Sequence, residues 1–267
     1  MKEILSEYYK INIDLYKEYN DGIIFFVNGY NYYLCKCNYD EEYLKYINNF
    51  IHNINIKLHG FVFNKDNNIL SNGYILLKLN YLIDKITLED VNKYNIVINN
   101  SEYISIRELW LRKIDYYEDK IDLNNNYNYD YYSGIIEMLM SYFKIEYKGS
   151  VYLTHKKLYL DTVEFYNPMY VTLDLKLRDI ASYIVLNKDY DLLYKIITNL
   201  NDYERLFLFC RLIIPYKYFE LLDDVITKEL DDKELVKYIN NYKVYEDYVR
   251  DIEKIFNINI FKWIKKE

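Results

Sequence analysis

The chain has 267 residues, 51% of them hydrophobic and 28% charged, a balance that supports a sizeable core and excludes a disordered chain. A formal net charge of −7 excludes the basic footprint of a general nucleic-acid binder. No stretch reaches the roughly 18 uninterrupted apolar residues of a membrane span, and the charged amino-terminal run MKEILSEYYKINIDLYKEYN lacks the apolar centre of a signal peptide, so a cytoplasmic protein is expected.

The first part of the chain reads as β-rich. Gly22–Val27, then Asn28-Gly29, then Tyr30–Cys37 is a hairpin signal, because Asn-Gly fits the positive φ angles of a type I′ turn. In the second strand Tyr32, Leu34 and Lys36 share one face, while Tyr33, Cys35 and Cys37 share the other. Leu44, Ile47, Phe50, Ile51 and Ile54 recur at helical spacing and predict a helix from about Asp40. Two more strands are expected near 58–64 and 73–79, with the polar run 64–72 turning between them, which gives a local antiparallel order β-β-α-β-β. The three cysteines, Cys35, Cys37 and Cys210, suit a reducing compartment. Cys35-Lys36-Cys37 has no second Cys or His pair at zinc spacing, and is read as two small side chains on one buried strand face.

After Asn80 the pattern turns helical. Thr87 with Asp90, and Ser105 with Glu108, are helix starts with a side-chain cap and an acid three residues on. The helix from Ser105 to about Ile121 carries Ile106, Leu109, Trp110, Lys113, Ile114 and Tyr117 on a mostly apolar face. LNNNYNYD (123–130) reads as a polar loop, and Tyr131–Ile145 as another apolar-periodic helix. Residues 151–174 read as short strands and turns, with Pro168 marking irregular backbone. Further helices are predicted at Asp179–Leu186, Tyr190–Leu200, Glu204–Ile213, Tyr216–Lys228, Lys233–Tyr242 and Val244–Phe256. The expected class is α+β, with a β-rich amino-terminal lobe over residues 1–80 and a larger helical lobe over 81–267. The 36 tyrosines accompany abundant Ile, Asn and Lys, residues with A/T-rich codons, and are read as compositional bias and not as a stacking surface.

This layout, with the residues inside it, resembles the aminoglycoside-phosphotransferase-like kinase fold, and more narrowly its spore-coat branch, the CotS and YutH type. The resemblance is carried by Glu108–Glu118 (ELWLRKIDYYE), Tyr132–Glu137 (YSGIIE), Asn167-Pro168 through Asp174 to Arg178-Asp179-Ile180-Ala181, and Arg211–Phe219 (RLIIPYKYF). In that fold a strand lysine anchors the ATP phosphates and pairs with an acid on the following helix. The lysine falls on Lys36 and the acid on Glu41 or Glu42. On the residues alone, Lys36 reads as a lysine at a strand end beside a solvated helix start.

The family's catalytic pattern is His-x-Asp-x-x-x-x-Asn, in which the Asp positions the attacking hydroxyl and the Asn binds magnesium. Laid on residues 155–162, it keeps His155 but puts Lys157 at the base and Thr162 at the metal ligand. The second metal aspartate falls on Asp174, and the acidic position of the next helix on Asp179. Lysine offers donors only and stays cationic near neutral pH unless burial lowers its pKa. One carboxylate is a thin shell for magnesium. Asp161 lies close enough in sequence to substitute as base, while Gly22 and Gly29 stand alone where a glycine-rich phosphate loop is expected. On the residues alone, His155 is a hydrogen-bonded structural histidine and Asp174 a cap for the helix that follows.

The resemblance therefore implies a catalytically degenerate kinase-like protein, a pseudokinase, with protein partners in assembly of the bacterial spore coat. ATP and magnesium are the cofactors an active member would use. The alternative is an active ATP-dependent small-molecule phosphotransferase working through Lys36, Asp174 and Asp161. A third reading is an unrelated helical protein whose likeness comes from A/T-rich composition.

Overall fold

The computed structural model describes residues 1–54, 56, 58–80, 85–98, 105–121, 127–143, 150–228 and 231–261. The chain order begins α1 (Lys2–Tyr9), β1 (Lys17–Tyr19), β2 (Gly22–Val27), β3 (Tyr30–Lys36), α2 (Glu41–Ile54), β4 (Gly60–Phe61), β5 (Leu70–Ser71), β6 (Tyr74–Lys78), α3 (Leu88–Tyr94) and β7 (Val97–Ile98). It continues with α4 (Ile106–Glu118), α5 (Tyr129–Tyr142), β8 (Val151–His155), α6 (Thr162–Phe165), a 3-10 turn (Pro168–Tyr170) and β9 (Val171–Asp174). Six helices complete it: α7 (Leu177–Asn187), α8 (Tyr190–Ile197), α9 (Asp202–Ile213), α10 (Tyr216–Lys228), α11 (Lys233–Asn240) and α12 (Tyr242–Phe256).

Two compact units form, one from residues 1–99 with 151–176 and the other from 100–150 with 177–267. The sequence turns helical near residue 80 and returns to strands at 151–174, and the compact units interleave at that stretch. The reason is local: β8 pairs with β7, and Val163 and Met169 enter the same apolar cluster as the sheet residues Tyr33, Cys35, Ile75 and Leu77.

In the first unit the main sheet runs β1-β2-β3-β6-β4 with β5 also on β6, and every pair is antiparallel. Asn28 (φ 51°) and Gly29 (φ 82°) both take the left-handed values that the type I′ hairpin requires. Strand alternation sends Tyr33, Cys35 and Leu77 toward α2, and Ile23, Phe25, Leu34 and Leu76 toward Ile4 and Leu5 of α1. Cys35 and Cys37 are thus buried core side chains. The polar run 64–72 does turn, around the Asn64 side chain. Its oxygen accepts from the amides of Asp66 and Asn68, and its nitrogen donates to Leu70 O and Ser71 Oγ, which draws β5 onto the sheet. The capping box of Thr87 and Asp90 opens α3. A second, three-stranded sheet runs β7-β8-β9.

In the second unit Ser105 caps α4 through the Glu108 amide. Ile106, Trp110, Ile114 and Tyr117 of that helix are buried, but Leu109 is exposed, so its apolar face is narrower than the sequence suggests. α5 starts two residues before the predicted Tyr131; Ile145 and residues 123–126 of the expected loop lie outside the described residues. α9 is buried along most of its length, with Phe209 against Phe256 of α12. Tyrosines supply much of the packing: Tyr132 stacks on Tyr218 at 3.9 Å, and the Tyr245 and Tyr248 hydroxyls donate to Ile213 O and Leu212 O. Among the described residues no helix is long and apolar enough to cross a membrane.

Candidate functional site

The segment that carries the loop pattern is anchored at both ends by strand pairing, with β8 on β9 in register from Tyr152↔Asp174 to His155↔Val171. His155 ends β8 fully buried, its ring stacked on Tyr94 at 4.1 Å, and its Nε2–H donates to Phe165 O at 2.9 Å. These contacts tie the end of β8 to α6. Lys157 is exposed, with its ammonium 5.5 Å from the Tyr159 ring. Thr162 opens α6 and is buried. Asp174 is buried at the end of β9, where its Oδ1 accepts the Leu175 amide at 2.7 Å. α7 starts at Leu177, three residues on, so this contact orders the connection ahead of the helix. Asp179, in the first turn of α7, is fully buried in the helical unit.

Asp161 has two commitments. Its Oδ1 accepts the Glu164 amide at 3.0 Å as the N-cap of α6, and it accepts the Tyr19 hydroxyl at 2.5 Å. Glu164 is 2% exposed and receives three side-chain donors: Asn20 Nδ2 (2.8 Å), Tyr33 Oη (3.2 Å) and Asn167 Nδ2 (2.9 Å). Burial raises its pKa above the ordinary glutamate value, because the charged form is stripped of water. Burial likewise raises the Tyr19 and Tyr33 hydroxyls, helped by the neighbouring carboxylates. His59 completes the attachment: its Nε2–H donates to Thr162 O at 3.1 Å and its Nδ1 accepts the Asn80 amide at 3.1 Å. Burial lowers its pKa to about 4. Strands β1 and β3 and the residue before β4 are therefore bonded directly to α6.

Sequence reasoning missed Asn20, His59 and Glu164. One signal was present: Asp161-Thr-Val-Glu164 has the spacing of a helix start with an acid at the fourth position. Nothing local marks His59 or Asn20, whose bonds to Thr162 and Glu164 reach more than a hundred residues along the chain.

Lys36 lies opposite Tyr74 in the β3–β6 ladder, two residues from the Leu34↔Leu76 pair. Leu34, Leu76 and Tyr74 pack on the α1 side, so Lys36 belongs to that face and not to the face of Tyr33 and Cys35 that meets α6. At the exposed strand end it borders a cavity of about 410 Å³ together with Asp21, Tyr39, Lys156, Lys157 and Tyr170. Lys156 is held there by the Tyr39 and Tyr43 hydroxyls. Glu41 is occupied elsewhere: it accepts the amides of Ile69 and Leu70 and pairs with Lys45 at 3.1 Å. These contacts hold its pKa below the usual value, against the opposing effect of burial. Glu42 is exposed. The structure thus brings Lys36 and Lys157 to one cavity, and neither Glu41, Glu42 nor Asp174 lines it.

No protein-family model matches the sequence, and no curated protein matches it. Among solved structures the chain is similar to an aminoglycoside phosphotransferase from Alicyclobacillus acidocaldarius, with a TM-score of 0.57, 10% identity and 92% of each chain covered. The fold is that of the aminoglycoside phosphotransferases. Two further likenesses are to the choline kinase LicA of Streptococcus pneumoniae (TM-score 0.49, 11% identity, 94% of this chain and 97% of that one) and to an AMP-bound spectinomycin phosphotransferase (TM-score 0.44, 13% identity, 96% of each).

Within an aminoglycoside-phosphotransferase fold the resemblance assigns magnesium to the positions of Thr162 and Asp174. Both positions carry an oxygen donor, and both side chains are buried. Magnesium takes six oxygens in near-octahedral geometry, carboxylates foremost. The cavity beside Lys157 has three lysines and one carboxylate, Asp21. Among the described residues no three His, Cys, Asp or Glu side chains gather as a metal site.

Proposed function

We propose that this aminoglycoside-phosphotransferase fold works as a pseudokinase, a binding or structural component that does not transfer phosphate. The observation that carries the reading is the bonding of Tyr19, Asn20 and Tyr33 to Asp161 and Glu164 across 2.5–3.2 Å. These bonds tie the turn after β1 and strand β3 to the segment ahead of the position the resemblance gives to the metal ligand. The same contacts count against Asp161 as a substitute base, since one of its oxygens already caps α6 and receives Tyr19. The assignment to bacterial spore-coat assembly, through protein partners, rests on the resemblance of 108–118, 132–137, 167–181 and 211–219 to the CotS and YutH type.

The test is nucleotide binding and turnover by the full chain. A ligand at 100 times its Kd adds about 2.7 kcal/mol to stability, so millimolar ATP with magnesium should leave the melting temperature unchanged. Magnesium-dependent phosphotransfer that is abolished by Asp174→Ala would overturn the proposal and favour the active phosphotransferase. The coat role is tested separately by following a tagged chain through sporulation: loss of coat association after substitutions in 211–219 supports it, and diffuse fluorescence of the unsubstituted chain refutes it.

A further inference from the structure

The helical unit contains a larger cavity, of about 650 Å³, between the end of α7 and helices α8, α10, α11 and α12. Its volume lies within the range of small-molecule sites, roughly 300–1,000 Å³. The walls are apolar: Ile184, Val185, Leu221 and Val244 contribute aliphatic surface, and Tyr190, Tyr238, Tyr245 and Tyr248 contribute rings. The Tyr245 and Tyr248 hydroxyls are spent on Ile213 O and Leu212 O, so these two residues offer the cavity carbon and not a polar group. Val185 and Val244 stay exposed although each borders the cavity.

Charge at the cavity departs from that of the chain. In a protein of net charge −7, Lys188, Lys217 and Lys237 border this space with a single carboxylate, Glu234. Glu234 pairs with Lys237 at 3.6 Å, and Lys217 reaches Glu220 only at 3.9 Å. Lys188, in the left-handed position that follows α7, has no ion-pair partner among the described residues. An apolar hollow edged by surplus ammonium groups is complementary to one class of ligand. We infer that this cavity binds a small amphipathic anion, a hydrocarbon or aryl body carrying one carboxylate, sulfonate or phosphate head. The body lies on the valine, leucine and tyrosine walls, and the head meets Lys188. The inference is independent of the pseudokinase reading, which concerns the other unit.

The test uses the full chain with anilinonaphthalene sulfonate as the fluorescent probe. Decanoate is the competitor, and decyltrimethylammonium is the control with the same tail and the opposite charge. Decanoate should displace the probe, and the cation should not. Lys188→Glu should weaken both anions about tenfold by reversing one contact of the head. Val244→Trp should weaken them comparably by filling the hollow. Both sites are exposed, so unchanged far-UV circular dichroism is expected for both variants. Equal competition by the ammonium compound, no displacement by millimolar decanoate, or unchanged probe affinity in both variants would each overturn the inference.

Discussion

Acidification should remove stability from the sheet unit through one side chain, His59. The ring is 2% exposed and uses both nitrogens in its neutral form, with Nε2–H on Thr162 O and Nδ1 receiving the Asn80 amide. A second proton would have to go on Nδ1, against an amide N–H and in a site with little water. Burial accordingly lowers the pKa from 6.5 to about 4. The unfolded chain takes up this proton first, so the contribution is complete above pH 6.5 and is lost as pH falls toward about 4. At about 1.4 kcal/mol per pKa unit, the loss amounts to about 3 kcal/mol. Urea unfolding should be followed by circular dichroism at several pH values in that window, for the wild type and for His59→Gln. The glutamine variant should start less stable at neutral pH, by about 1–3 kcal/mol for the mismatched buried partners, and should lack the extra acid slope. Parallel pH profiles for the two proteins, or an imidazole that titrates near 6.5 by NMR in the folded state, would refute the reasoning.

Glu164→Ala leaves the donors of Asn20, Tyr33 and Asn167 without their acceptor and should cost about 2–4 kcal/mol by urea midpoint. Because burial raises its pKa, the glutamate contributes most while protonated and loses part of that as pH rises past 4.5. The gap between wild type and variant should therefore be widest in acid and narrow toward neutral pH. Gly22→Ala would place a Cβ 2.1 Å from Leu34 O and 2.9 Å from the Tyr33 ring, so β2 and β3 must part. A loss above about 3 kcal/mol is expected, read as a fall in melting temperature. Asp161→Ala removes the cap of α6 and the partner of Tyr19, and should cost about 1–2 kcal/mol. Faster hydrogen exchange confined to the amides of α6 and β1 is the accompanying signature.

What could be seen in the sequence was whatever is decided within a few residues. Asn28-Gly29 sets its hairpin, Thr87 and Ser105 set their helix starts, and the period of Leu44 and Ile47 sets α2, because each acts on its own neighbourhood. Cys35 and Cys37 were assigned to the core by strand alternation alone. The same alternation put Lys36 on the face of Leu34, yet its functional reading came from the resemblance; only the packing of α1 and α6 on opposite faces shows what that alternation means. His59 and Asn20 were not legible, because their contacts with Thr162 and Glu164 join segments far apart in the chain. The β-strand character of 151–174 was visible, but not its membership in the sheet unit, which depends on β7 and β8 meeting across the intervening helices.

That meeting bears on how the protein can be made. The sheet unit combines chain synthesised early, 1–99, with chain that leaves the ribosome only after α4 and α5. Until Val151 is available β7 has no partner strand, and until Val163 and Met169 arrive the apolar face of Tyr33 and Cys35 is covered by α2 alone. Nascent chains stalled before residue 151 should hold a partly exposed sheet face that favours aggregation. The β-rich segment on its own is therefore a poor candidate for separate expression.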